Sequence, residues 1–469
     1  MSISNTLEIG KTGILANEIA LGVVGNNIAN VNTPGYTRQV ADFEEMPDAS
    51  TAFGFLAGTG VDVRGIRQMI DPFVEKQLQG SYTTSAEADA REAQLGSLAA
   101  VLNDLTDPSL GAELSKWFDA TDALARNPQG LTERQTLLGA SQAIASDLNR
   151  RSAALARLQQ DVDDRIVEKA NLANDDLQRI ATLNTAIVAR ESTGTGANDL
   201  RDQRQQTLHE LATILGITTI EDEHGAVRVD ASNGVSLVID NRVVHQISTR
   251  LDGGNPATLT GNTLHEVGVV NSAGTFLSVA STFATGEIAG LTAVRDGSVF
   301  TASSNLDLLA STFLTAVNAI QTDPAALDLD GAATVGVPLF GGTSAGTISV
   351  ALADPRKIGA ALSAQAGDNQ NALRLADLRA SQQVALGTTF QGYLALEQGR
   401  IGEDAALASD SAAASKLVNQ QLAAQRESIS GVNLNEELTN LLRYQRAFQA
   451  SSRVITVADS TLDELLRLL

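Results

Sequence analysis

The sequence predicts a mainly α fold with an inserted β-rich domain, on three observations. Apolar residues recur every seven positions at both ends of the chain. Long stretches rich in Ala, Leu, Gln, Asp and Arg with a helical period follow the first end and precede the last. Near residue 217 the period falls toward two, and Gly, Asn and Asp punctuate short β-branched runs.

The first 31 residues form an amphipathic pattern in which Leu7, Ile14, Leu21 and Ile28 are spaced by seven, with Ile3, Val24 and Val31 beside them. Asn32, Thr33, Pro34 and Gly35 stop it with ordinary turn chemistry. From Ser81 to Gly216 the pattern is that of a long helical bundle, broken at Asp107-Pro108, at Asn127-Pro128 and from Thr193 to Gly196. Strand-like runs follow at Val227 to Val229, Val235 to Ile239 and Val243 to Ile247, within a β-rich stretch that reaches about Phe283. Helical signal returns from Asn305 to Ile320, lapses through the Gly-rich stretch Asp330 to Gly346, and resumes from Asn369 to the end.

At the C-terminus Leu434, Leu441, Phe448, Ile455, Leu462 and Leu469 occupy one heptad position without a break. A straight α-helix drifts by about 20° per heptad, so an unbroken seven-residue row implies supercoiling against a partner. The alternate row is read as Leu438 and Leu466 with the polar Gln445, Ser452 and Asp459 between them, which makes a narrow seam. Asn433 or Asn435 can cap this helix, and Glu436 and Glu437 complement the positive end of its dipole.

Helical sequence on both sides of the β-rich stretch brings the termini together. The expected organisation has three parts. Residues 1–41 with 431–469 make a terminal domain in which the N- and C-terminal helices pair as an α-helical coiled coil for polymerisation. Residues 42–216 with 300–430 make a helical-bundle body, and 217–299 an inserted, outer β domain.

Composition narrows the function. The 469 residues carry 33 Lys and Arg against 55 Asp and Glu, a formal charge of −22. Phosphate backbones are bound by clustered cations, so the charge argues against nucleic acid or anionic membrane as a partner. Cysteine is absent, which removes disulfides, thiolate metal sites and cysteine nucleophiles. No run reaches the roughly 18 to 20 apolar residues of a membrane span. The first 37 residues hold a single cation, Lys11, so a Sec-type leader is not expected.

Motifs with chemistry fall short. Gly342-Thr343-Ser344-Ala345-Gly346 fits the spacing of a nucleophile elbow, but no histidine follows Ser344, the last being His265. His209-Glu210 begins a zinc-protease pattern, yet Thr213 stands where the second ligand belongs. Asp328-Leu329-Asp330-Gly331 opens like a calcium loop without its third acid or closing Glu, and reads as a turn cap. No catalytic, cofactor or metal residue is assigned.

The segment from Asn26 through Asn27, Ile28, Ala29, Asn30, Val31, Asn32, Thr33, Pro34 and Gly35 to Tyr36 resembles the N-terminal signature of bacterial flagellar rod, hook and hook-associated axial proteins. Turn chemistry explains Pro34 and Gly35 but not the asparagines on the helix before them, since Asn is a poor interior helix residue. The stretches Ser430 to Glu437 and Tyr444 to Ser451 resemble the C-terminal signature of the same family. Gly60-Val61-Asp62-Val63 with Arg67 and Asp71, Asn198 to Arg204, Gly286 to Leu291 with Arg295 and Asp296, and Gly367 to Leu373 are similar to its junction branch, whereas Gln321 to Leu339 departs from that pattern.

The resemblance implies a non-enzymatic structural subunit that joins hook to filament outside the cell after flagellar type III export. Its implied partners are further copies of itself, hook protein, hook-associated protein 3 and a cytoplasmic export chaperone at the C-terminal helix. The assembly interface is expected at Leu7, Ile14, Leu21, Asn26, Asn27, Ile28, Asn30, Asn32, Pro34, Gly35 and Tyr36, and at Leu434, Leu438, Leu441, Phe448, Ile455, Leu462 and Leu469. Hook protein or hook-associated protein 3 is the alternative in the same class. An axial protein with an embedded hydrolase, or a secreted adhesin, is the alternative outside it.

Overall fold

A computed structural model describes residues 3–46, 49–50, 56–102, 109–278 and 285–468. The expected break at Asp107-Pro108, the end of the β-rich stretch near Phe283, and Leu469 lie outside them. The chain opens with α1 (Ile3–Ala29), then β1 (Gln39–Glu45), β2 (Ala49–Ser50), β3 (Leu56–Ala57) and β4 (Val61–Gln68). Helices α2 (Pro72–Leu102), α3 (Leu110–Arg126), α4 (Leu131–Glu191) and α5 (Asn198–Ile214) follow. Strands β5 (Ile217–Glu221), β6 (Val227–Ala231), β7 (Ser236–Ile239) and β8 (Arg242–Val243) form one antiparallel sheet in chain order. Strands β9 (His245–Asp252), β10 (Leu264–Asn271) and β11 (Phe276–Ser278) form a second, with β10 central. Helix α6 (Glu287–Ala293) runs through a π-helical turn into α7 (Phe300–Gln321). The hairpin β12 (Phe340–Gly341) and β13 (Ser349–Val350), then α8 (Gln370–Asp377), α9 (Phe390–Ser430) and α10 (Leu434–Leu468), complete the chain.

Two cores are strung along α4, a 61-residue helix about 90 Å long at about 1.5 Å per residue. The first half of α4 packs with α3, α7, α8 and the start of α9 around Trp117, whose ring stands edge-on to Phe118 and Phe313 at centroid distances of 5.2 and 4.9 Å. Trp117 is fully buried, and its Nε1 donates to Ser141 Oγ at 2.9 Å, which satisfies the one polar atom the ring brings inside. The second half packs with α5, α6 and the two larger sheets through Val162, Ile166, Leu177, Leu211, Val229, Leu237 and Ile247.

The β-rich segment is therefore not an outer domain with a core of its own. Its sheets share the core of α4, α5 and α6, on the half of α4 that leads to α5 and the terminal helices, while the opposite end is capped by α3, α8 and the β12–β13 hairpin. Polar side chains inside this core explain the fusion. Asn174 Nδ2 donates to Ile247 O at 2.7 Å and its Oδ1 accepts from Ile247 N at 2.8 Å. Asn184 makes the same two-way bond with Val227, at 2.8 and 3.1 Å. Each carboxamide continues a strand's ladder onto the helix and gives the N–H and C=O of Ile247 and of Val227 a partner.

The antiparallel pair α2 and α9 leads back from the body to the termini. There α1 and α10 run side by side in opposite directions, with Gly10 against Ile455 and Asn27 against Glu437. Among the described residues no helix is long and apolar enough to cross a membrane.

Candidate assembly interface

The stripe of α1 that is buried consists of Gly10, Gly13, Ala16, Ala20, Val23, Val24 and Asn27. These residues are small for a reason found on α10. A Cβ on Gly10 would stand 2.6 Å from Ile455 Cγ1, and one on Gly13 would stand 2.7 Å from Ser451 Oγ. Close approach of the backbones accommodates Ser451 and the bulk of Ile455 across the seam. Leu7, Ile14, Leu21 and Ile28 lie along the edge of this stripe and are half-buried.

On α10 Glu437, Leu441, Tyr444, Phe448, Ser451, Ile455 and Ala458 are buried or half-buried in an unbroken three-four alternation, with Asn440, Ala447 and Ser452 half-buried beside them. Leu441, Phe448 and Ile455 thus sit in one row of the seam. The alternate row is Glu437, Tyr444, Ser451 and Ala458, and Leu438 points away from α1 with half its surface exposed. Both residue sets keep the heptad spacing, and the choice is decided by Glu437, which is 1% exposed and fully engaged.

Glu437 is the centre of a polar joint that sequence reasoning saw only as a dipole partner. Its Oε2 accepts from Asn27 Nδ2 at 3.0 Å and its Oε1 from Arg38 Nε at 2.9 Å, while Arg38 Nη1 reaches Glu436 at 2.8 Å. Asn27 also bonds the backbone of Gln39 in both directions, at 2.8 and 3.0 Å, and accepts from the Tyr36 hydroxyl at 2.8 Å. Burial, with the carboxylates of Asp202 and Glu437 nearby, pushes the Tyr36 phenol up to about 12, so it remains a donor. Asn30 donates to Asn26 Oδ1 at 2.9 Å and accepts from Thr33, which folds the helix end into the turn. Gly35, at a φ of 79°, carries that turn through the left-handed region, while Asn32 and Pro34 are exposed. The run of asparagines is thus explained largely within the chain.

The joint is anchored to the body. Arg38 N donates to Ser430 O at 2.8 Å, and Thr37 N to Asp202 Oδ2 at 3.1 Å. Behind it Glu75 accepts from Arg426 Nε at 2.6 Å and Gln205 at 3.1 Å, with His209 Nε2 at 3.2 Å, which ties α2, α9 and α5 together. Burial works to raise the Glu75 carboxyl, but the bonds and charges of His209 and Arg426 outweigh it and hold it below the ordinary range.

After α10 has covered α1, much apolar surface is left on α10. Leu434, Leu438, Leu442, Val457 and Leu465 are between 46% and 64% exposed. Leu462, 39% exposed, lies near the free end of α10.

The motifs with chemical spacing hold structural roles. Ser344 Oγ shares a hydrogen bond of 2.9 Å with Thr347 Oγ1 in the loop between β12 and β13. His209 faces Tyr82 and Glu75, and Asp328 accepts from the amides of Asp330 and Ala332 and from Lys357 Nζ at 2.7 Å. Asp330 pairs with Arg356, so both acids of that loop already have cations of the chain itself. Among the described residues no cluster of three or more metal-ligating side chains is present.

Residues 95–340 match the model of the flagellar hook-associated protein FlgK helical domain. The chain belongs to this family. Both ends of this FlgK-family chain agree, residues 7–37 matching the flagella basal body rod protein model and 423–468 the flagellar basal body rod FlgEFG protein C-terminal model. It is 26% identical to flagellar hook-associated protein 1 of Bacillus subtilis, over 98% of this chain and 97% of that one. It is 27% identical to flagellar hook-associated protein 1 of Escherichia coli, over 99% and 100%. The fold is similar to the structure of the flagellar hook junction protein FlgK from Burkholderia pseudomallei, with a TM-score of 0.65 and 16% identity over 76% of this chain and all of that one. The mainly α FlgK fold is thereby common to both.

Proposed function

We propose that the chain is a structural, non-enzymatic subunit of the flagellar hook-filament junction, of the hook-associated protein 1 type, working outside the cell. Its terminal helices, α1 and α10, act as the coiled-coil polymerisation element through which copies pack side by side and along the axis in a ring. Hook protein lies on one side of that ring and hook-associated protein 3 on the other. Before flagellar type III export, a cytoplasmic chaperone covers α10.

The observation that carries this reading is the outward face of α10. Leu438, Leu442 and Val457 are each more than half exposed on one helix. Burying each such side chain is worth about 1.5–3 kcal/mol, so the face gains stability when a neighbour covers it.

The test is an in-frame deletion. Hooks should remain, filaments should be missing and flagellin should accumulate in the medium, with full repair by the parent gene. Normal-length filaments on the deletion strain would sink the reading.

A further inference from the structure

A cleft of about 670 Å³ opens beside the Pro34-Gly35 turn, between α4, α5, α2 and the end of α9. Its charged groups do not balance. Each cation on its wall has a partner already: Lys169 pairs with Glu287 at 2.8 Å, Arg179 with Glu210 at 3.4 Å and Arg426 with Glu75 at 2.6 Å. Asp202 is occupied by Thr37 N and Gln68. Asp175 and Asp176 on α4 are left over. Asp176 is 8% exposed and lines the cleft, and among the described residues it takes part in no ion pair. Burial, with Glu210 and Asp175 adding, pushes its carboxyl up to about 6 against the pull of Arg179. An acid that opens to the cleft and has no ion-pair partner lacks a counter-ion that a neighbouring molecule could supply.

The complementary surface is on the same chain. Between Glu437 and Asp459 the sequence has Arg443, Arg446 and Arg453 and no acid, in a protein whose net charge is −22. At helical spacing these three arginines share one face, opposite the Leu441, Phe448 and Ile455 row that meets α1. Among the described residues Arg446 and Arg453 have no ion-pair partner, and both are exposed. Arg443 lies over its own neighbour, the Tyr444 ring, at 4.8 Å.

We propose that the cleft receives Arg446 or Arg453 from the α10 of a second copy of this chain, with the Asp176 carboxylate as counter-ion. This rests on the self-assembly reading above and adds to it a contact between the terminal helix of one subunit and the body of the next. Guanidinium suits the site, because its planar donors can bond one carboxylate and still face a second acid.

The test is a charge exchange in cells, with Asp176→Asn, Asp176→Lys, Arg446→Glu and Arg453→Glu made singly and Asp176→Lys combined with each reversal. Export is read in the medium and folding by the melting temperature of the purified chain. The expected result is a folded, exported Asp176→Lys chain with the fraction of filament-bearing hooks down about tenfold, restored to within about twofold by one arginine reversal. Asp176→Asn, which keeps shape and cannot harm the fold by adding charge, should lower that fraction about twofold or more. An unchanged fraction for Asp176→Asn overturns the proposal, as does a loss in a folded Asp176→Lys chain that neither reversal repairs. Filaments on Asp176→Lys cells but none on the deletion strain would overturn the cleft assignment alone. Filaments on both would overturn the junction reading itself.

Discussion

The carboxamide of Asn27 stands 3.0 Å from the carboxylate of Glu437, across 410 residues of sequence. This bond joins the first helix to the last at the point where both meet the body. Asn27→Asp would keep the acceptor for Gln39 N but remove both donated bonds and set a second negative charge beside a buried one. Breaking a buried charged contact costs about 3–5 kcal/mol, so α1 and α10 should separate while the two cores stay folded. Limited proteolysis of the variant should trim both ends, and an untrimmed chain would contradict the role given to this pair.

The seam itself can be tested by volume. Gly10→Leu places a side chain where even a Cβ stands 2.6 Å from Ile455 Cγ1, and overpacking of this kind costs about 1–3 kcal/mol. Combining it with Ile455→Ala should return most of the loss. The check is amide hydrogen exchange along α1, and faster exchange in the double variant than in Gly10→Leu alone would refute the contact.

Phe448→Asp puts a carboxylate into the middle of the same seam, at a cost of several kcal/mol. Trp117 is the sole tryptophan and is buried in the core farthest from α10, so its fluorescence should be unchanged while helical circular dichroism falls. A shifted Trp117 emission would mean that the ends and the far core fold as one unit.

Asp176 should make the isolated chain less stable as pH rises. Its carboxyl sits near 6 in the fold against an ordinary 3.8, so at about pH 3.5 and below it is mostly protonated in both states and costs little. Between about 4 and 6 the unfolded chain releases its proton first, and the penalty grows toward a ceiling of about 3 kcal/mol that solvent screening lowers, constant above that window. Asp176→Asn should therefore stabilise the monomer at pH 8 by up to that amount and leave it unchanged at pH 3.5. Denaturant midpoints at the two pH values decide it.

Ser344→Ala removes one exposed hydroxyl contact within a loop and should change stability by no more than about 0.5 kcal/mol. Swimming should be unaffected. A motility defect in the folded variant would give Ser344 a role beyond its hairpin.

Periodicity made the helical ends and their punctuation legible. Asn127-Pro128 falls between α3 and α4, and Thr193 to Gly196 between α4 and α5, because these residues resist helical backbone. The face that α1 turns to α10 was not legible, since Gly10, Gly13, Ala16 and Ala20 carry almost no hydropathy signal and matter through closeness of approach. Leu438 keeps heptad spacing but faces away from α1, where it is open to a neighbour, while the position facing α1 belongs to the ion-paired Glu437. The β-rich segment read as separate because its bonds to α4 run through the half-buried Asn174 and the buried Asn184, polar residues that no periodicity marks as facing a strand.

The single helix α4 crosses both cores with no proline and one glycine, Gly139, near its start. A continuous helix has no joint at which one core could swivel against the other. Displacing the end near α5 must then carry the far core with it. The body is thus splinted along α4, and the terminal helices hang from it through the contacts of Arg38 and Glu437.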